Sequence, residues 1–145
     1  MPIIFSCHPR TRKRLEAKKI RLPRLVKVMK PMGLFDYVHL QMNAFCTLSD
    51  SGTIYEESTI MSFPAVSLRE SQEKPEGMDE TANILSGLNP ERVLQAIEMT
   101  RNQLDSGFKP TLPLEYSYPN VSKKVARIIL SYIDYVHRTV WQKLV

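Results

Sequence analysis

At 145 residues the chain has room for about one domain, and 43% hydrophobic content is enough for a core. No apolar run reaches the roughly 18 residues a membrane helix needs, and the apolar start, Ile3-Ile4-Phe5 with a basic block after it, is not a signal peptide. The net charge of +5 is uneven: residues 1–30 hold ten Lys/Arg against one acid, Glu16, and the remainder holds ten against fourteen. Such a basic segment suits nucleic acid, an anionic ligand or an acidic neighbouring domain, but the lack of interleaved aromatics argues against single-strand stacking and a nucleic-acid partner.

Taken in order, Pro2 to Cys7 reads as a short buried strand that opens the chain abruptly, which suggests earlier strands outside this sequence. A helix then runs to about Lys19, Pro23 to Met29 gives a second strand, and Pro31-Met32-Gly33 turns the chain into a helix over Phe35 to Ala44. Tyr37, Leu40 and Met42 are its candidate inward positions. Phe45 to Leu48 reads as a central strand, followed by a turn and a helix ending near Met61, and Phe63 to Arg69 as another buried strand. Glu70 to Thr81, with five acids, one Lys, one Pro and one Gly, should be a polar loop, and Ala82 to Ser86 a short strand. Pro90 sits in the first turn of a helix whose apolar face holds Val93, Ile97 and Leu104. Ser106 to Pro119 is an irregular connector, and Asn120 caps a long last helix to about Leu144, with Val121, Val125, Ile128, Ile129, Tyr132, Val136 and Val140 at helical spacing.

Strands alternate with helices, so the fold class is α/β: a partial Rossmann-like parallel sheet with a long C-terminal helix. In such sheets ligands bind beyond the carboxyl ends of strands. The loops carrying His8, Ser51 and Arg69 all leave such ends. Cys7 and Cys46 fall in expected buried strands without metal-type spacing, which reads as reduced core thiols of a cytoplasmic protein.

The organising stretch is Phe45 to Ser58. Ser49, Asp50, Ser51 and Gly52 form the turn, and a helix starts near Thr53 with Ser51 as a suitable cap and Glu56 and Glu57 in its first turns. Free N–H groups and the positive dipole end make this a phosphate site, and Gly52 allows close backbone approach. The plainer alternative is that Ser51 only caps the helix and the glutamates only suit its dipole.

Leu48 to Glu57, Phe63-Pro64-Ala65-Val66, Arg69 and Glu73-Lys74-Pro75-Glu76-Gly77 resemble the signature of non-hydrolysing UDP-N-acetylglucosamine 2-epimerases, in content and spacing. His8-Pro9-Arg10-Thr11-Arg12, Ser49 to Ile54, Pro75 to Glu80 and the stretch from Asn120 to Tyr132 are most similar to the branch that converts UDP-N-acetyl-6-deoxy-L-talosamine to UDP-N-acetyl-L-fucosamine. The resemblance implies the C-terminal half of a GT-B fold: residues 1–119 as part of the UDP-binding domain, and 120–145 as a helix packing on a first domain outside this chain. It implies UDP elimination and re-addition with inversion at C2, in bacterial surface polysaccharide precursor synthesis, without a cofactor or metal and in a homodimer of longer chains. The acid and base carboxylates belong to the first domain, so a fragment inactive alone is expected.

By the same resemblance, Ser51 and Gly52, with Thr53 beside them, hold phosphate, and Glu57 accepts from the ribose diol. Glu56 is a structural partner. Tyr37 lies against uracil or is a core residue of its helix. His8 lies near the cleft or is a turn residue. Arg10, Arg12 and Arg69 suit phosphate by type, Arg69 best. Lys74 stands where the family usually has Arg and lacks the two-pronged geometry. The rival readings are a GT-B glycosyltransferase nucleotide domain, which the Glu73-to-Gly77 block argues against, and a truncated gene product without catalysis.

Overall fold

The computed structural model describes residues 1–74, 76–79, 81 and 83–143. Pro75, Glu80, Ala82 and Leu144, named above, fall outside them. The element order is β1 (Ile3–Ser6), α1 (Pro9–Ala17), β2 (Val26–Met29), α2 (Leu34–Met42), β3 (Thr47–Ser49), α3 (Ile54–Met61), β4 (Ala65–Ser67), α4 (Glu76–Asp79), β5 (Ile84–Leu85), α5 (Pro90–Asp105), α6 (Leu114–Ser117) and α7 (Val121–Thr139). The alternation is that of an α/β protein, and every strand pairing is parallel.

The strands form two sheets rather than one. β1 pairs with β2, and β3, β4 and β5 follow in spatial order. The registers Ile3 to Val26, Thr47 to Ala65 and Val66 to Ile84 define the ladders. β1, expected to be buried, is mostly exposed, and β2 is mostly exposed as well. The reason lies in α1: its sequence has only Leu15 and Ala17 as apolar residues among five basic or acidic ones, and it buries none of its side chains. A helix with so little apolar surface cannot cover a sheet.

The core sits in the other sheet. β4 is buried at all three positions, and α3 and α5 pack against it. Ile54, Tyr55, Phe63 and Ala65 form the cluster beneath α3, with Met61 at its margin. Full burial of each large side chain contributes about 1.5–3 kcal/mol, so this cluster fixes α3 more firmly than propensity over eight residues could. Gly77 lets α4 approach α3: a Cβ there would lie 3.1 Å from the Tyr55 Cβ.

Several local expectations are corrected. β3 begins at Thr47, and Phe45 is instead exposed, with the Arg101 guanidinium 4.9 Å above its ring. Cys46 is half-buried, and burial pushes its thiol up to about 11 against the opposing charge of Arg101. On α2, Gln41 rather than Met42 faces inward. α4 interrupts the expected polar loop, and α6 the expected irregular connector. Both are single turns, too short to carry a periodic signal. Asn120 does not cap α7 through its side chain. It adopts a left-handed backbone, φ 62°, and its carbonyl accepts from Lys123 and Lys124.

α7 ends at Thr139, five residues earlier than expected, and buries none of its side chains. Val121, Val125, Ile128, Ile129 and Tyr132 all face solvent along it. No helix of the described residues is long and apolar enough to cross a membrane. An apolar stripe of this length at a helix surface favours association. Ile128→Lys with Tyr132→Lys is therefore expected to lower concentration-dependent self-association in sedimentation velocity without changing the α/β circular dichroism. A monodisperse wild-type monomer at high concentration contradicts this expectation.

Candidate functional site

The turn between β3 and α3 is built from short polar residues that bind one another. Ser51 donates its backbone N–H to Ser49 Oγ at 3.0 Å, and Ser51 Oγ lies 2.9 Å from Thr53 Oγ1. The helix starts at Ile54, so Thr53 holds the cap position. Ser51 Oγ accepts the Thr53 N–H over 3.3 Å, a long bond. Among the described residues, no group accepts from the backbone N–H of Gly52 or Glu56, and neither residue is buried. These donors and the positive end of α3 form a surface for an anion.

Arg69 completes that surface. The strand ends are held in step, because Leu68 donates its N–H to the Ser49 carbonyl at 2.9 Å. Two residues beyond β4, the Arg69 guanidinium lies so close to the turn that a Cβ on Gly52 would stand 3.0 Å from its Nη1. Gly52 thus leaves room for Arg69 to approach without shifting its guanidinium. The guanidinium's ion pair with Glu73, at 3.4 Å, is long and its acid is largely exposed, so it remains able to meet a second anion.

One turn into α3, Glu57 is held on both carboxylate oxygens. Thr53 Oγ1 donates to Oε1 at 2.5 Å, and the Gln41 side-chain amide donates to Oε2 at 2.9 Å. Tyr37 sits close by on α2: burial, then the charge of Glu57, then that of Asp50, pushes its phenol above the usual tyrosine range. Glu56 points elsewhere and pairs with Lys74.

The structure thus gathers Ser51, Gly52, Thr53, Glu57, Arg69 and Tyr37. It does not join His8 or Arg10 to them. His8 caps α1, its Nδ1 accepting the Arg10 N–H at 3.2 Å. Both side chains are exposed, and no hydrogen bond or ion pair among the described residues links them to the α3 turn. Arg12 is half-buried, and no hydrogen bond or ion pair among the described residues links it to the α3 turn either. A cationic, amide-lined turn followed by a fixed carboxylate and an aromatic ring can hold a phosphorylated ligand carrying hydroxyl groups and a flat ring.

Residues 1–130 match the family profile described as UDP-N-acetylglucosamine 2-epimerase. The chain belongs to this family. A UDP-N-acetylglucosamine 2-epimerase of Methanocaldococcus jannaschii is 39% identical over 105 residues, covering 70% of this chain and 29% of the relative. The fold is similar to that of a UDP-N-acetylglucosamine 2-epimerase from Rickettsia bellii, with a TM-score of 0.81 and 47% identity over 99% of this chain and 40% of that one. It is similar too to the M. jannaschii enzyme in complex with UDP-GlcNAc and UDP, with a TM-score of 0.77 and 33% identity over 90% and 36%. These neighbours are GT-B proteins. The chain thus spans well under half the length of these relatives.

In this epimerase-family chain, sequence reasoning missed Gln41 as a partner of Glu57 and Glu56 as the anchor of Lys74. A lone Gln beside apolar helix positions carries no signal of a bond to a residue 16 positions away. Lys74 is committed to a half-buried glutamate. Its loss strands that carboxylate, whose Oε2 is buried without a partner. Lys74→Ala is expected to destabilise the chain by about 1–3 kcal/mol in urea unfolding, whereas Arg69→Ala, breaking only the exposed pair, stays within about 1 kcal/mol. Equal losses would show that the Lys74 tie is no stronger than a surface pair.

Proposed function

We propose that residues 1–145 form the UDP-holding portion of a UDP-N-acetylhexosamine 2-epimerase. The carrying observation is the pairing of unoccupied α3 amides and the Arg69 guanidinium with a clamped Glu57 one turn further on. A diphosphate lies on the amides of Gly52 and Glu56, with the Ser51 hydroxyl and the Thr53 backbone alongside. Arg69 neutralises it with a charge-assisted bond. Glu57, an acceptor on both oxygens, takes the two ribose hydroxyls. The Tyr37 ring lies against the uracil. His8 and Arg10 face the cleft from the β1 end and meet the sugar side of the ligand.

The reaction served is inversion at C2 by elimination and re-addition of UDP. The substrate branch is UDP-N-acetyl-6-deoxy-L-talosamine, on the His8-to-Arg12 and Ser49-to-Ile54 motifs. The setting is cytoplasmic synthesis of surface polysaccharide precursors, capsule or O-antigen, by homodimers of longer chains. Residues 1–119 hold the nucleotide, and the helix from 120 onward packs on another domain. Proton transfer at C2 needs a positioned base. By the family resemblance the acid and base carboxylates belong to the first domain, so residues 1–145 by themselves do not exchange the C2 hydrogen.

Glu57→Ala removes only the ribose contact and is expected to weaken UDP about tenfold in titration calorimetry while leaving inorganic phosphate unchanged. Ser51→Ala weakens both. Unchanged UDP affinity in both variants removes the site from α3. Deuterium appearing at C2 of UDP-N-acetylglucosamine incubated with residues 1–145 in D2O overturns the statement that these residues lack the base.

A further inference from the structure

Gln41 is the one buried polar residue of α2, with 3% of its surface exposed. Its side-chain Nε2 donates to Glu57 Oε2 at 2.9 Å, a contact between two helices 16 residues apart in sequence. Its own carbonyl Oε1 is buried with no hydrogen-bond partner. An orphaned buried acceptor destabilises a fold, and a leucine could occupy this place on α2 without one. The amide is therefore explained by what Nε2 does and not by packing. Thr53 Oγ1 holds the other oxygen of the same carboxylate at 2.5 Å. One donor on each oxygen fixes both the side-chain rotamer and the plane of the carboxylate, and each oxygen keeps a lone pair for a further donor. Tyr37 lies one helical turn before Gln41 and senses the Glu57 charge, so α2 presents ring and amide together to the start of α3.

We propose that Gln41 is a positioning residue that sets the Glu57 carboxylate for a vicinal diol and so makes the site select a ribonucleotide over its 2′-deoxy form. This rests on the assignment of Glu57 to the ribose. Gln41 touches no ligand itself. Thr53 secures one oxygen from within the same helix, and Gln41 secures the other from the neighbouring one, so loss of Gln41 frees the carboxylate to turn about its terminal bond.

The test uses calorimetry on the 145-residue chain with UDP, 2′-deoxy-UDP and pyrophosphate. Wild type is expected to favour UDP over 2′-deoxy-UDP. Gln41→Leu lowers UDP affinity about five- to tenfold, the loss of a bond to a charged group, and leaves 2′-deoxy-UDP and pyrophosphate as they were. Gln41→Glu supplies a second readout, with UDP-N-acetylglucosamine as probe because its diphosphate does not titrate near neutrality. The groups facing this position are Glu57 and Thr53 from α3, Asp50 from the turn and Tyr37 from α2. Two carboxylates at this distance repel, which raises the pKa of the introduced one. At pH 8 binding is weak, and as pH falls the introduced carboxyl protonates, donates to Glu57 and restores affinity relative to wild type. Gln41→Leu retaining full discrimination, or losing UDP and pyrophosphate in parallel, overturns the proposal. So does a Gln41→Glu deficit that is constant with pH. Should Glu57→Ala also keep the preference for UDP, the ribose assignment itself has failed, and the role of Gln41 falls with it.

Discussion

The first turn of α3 is pinned by two side chains that see no solvent, Ile54 and Tyr55, packed on Phe63 and Ala65. Everything proposed for the site depends on that anchor. The N–H donors of Gly52 and Glu56 have no partner among the described residues, and donors act together on an anion only if their directions are fixed before it arrives. The ladder between β3 and β4, extended by Thr47 N–H to the Pro64 carbonyl at 2.8 Å and Leu68 N–H to the Ser49 carbonyl, sets the turn and Arg69 side by side. Glycine at 52 then permits a separation at which a Cβ would crowd the guanidinium.

Charge around α3 is sorted by its partners. The amides and Arg69 make the turn electropositive. The two acids that follow differ in fate although adjacent in sequence: Glu56 is neutralised by Lys74, and Glu57 is held by uncharged donors from Gln41 and Thr53. On the proposed reading it is Glu57, held by donors that leave each oxygen a free lone pair, that takes the hydroxyl groups.

How much of this was legible in the sequence depends on the range of the interaction. The Ser49-to-Gly52 turn and the helix after it could be read because turn residues act locally. Arg69 could be placed because a buried strand ends just before it. The bond from Gln41 to Glu57 and the tie from Lys74 to Glu56 join separate elements, and no local pattern reports them. The position of His8 after a strand could be read, but the bond its ring accepts from the Arg10 N–H at its own helix start could not. The division into two sheets was hidden for a related reason: alternating strands and helices specify parallel pairing but not which strands are neighbours. Burial of β1 was misjudged because Ile3, Ile4 and Phe5 look like core, while the charged α1 that follows cannot cover them.

The most direct measurement is a 15N-resolved NMR titration of the chain with UDP, following the backbone amides. The largest and earliest shifts are expected at Gly52, Thr53, Tyr55 and Glu56, with the Gln41 side-chain amide moving in step as Glu57 engages the ribose. Shifts concentrated on the basic residues of α1 and β2, with the α3 amides unmoved, would contradict a nucleotide site at this helix start.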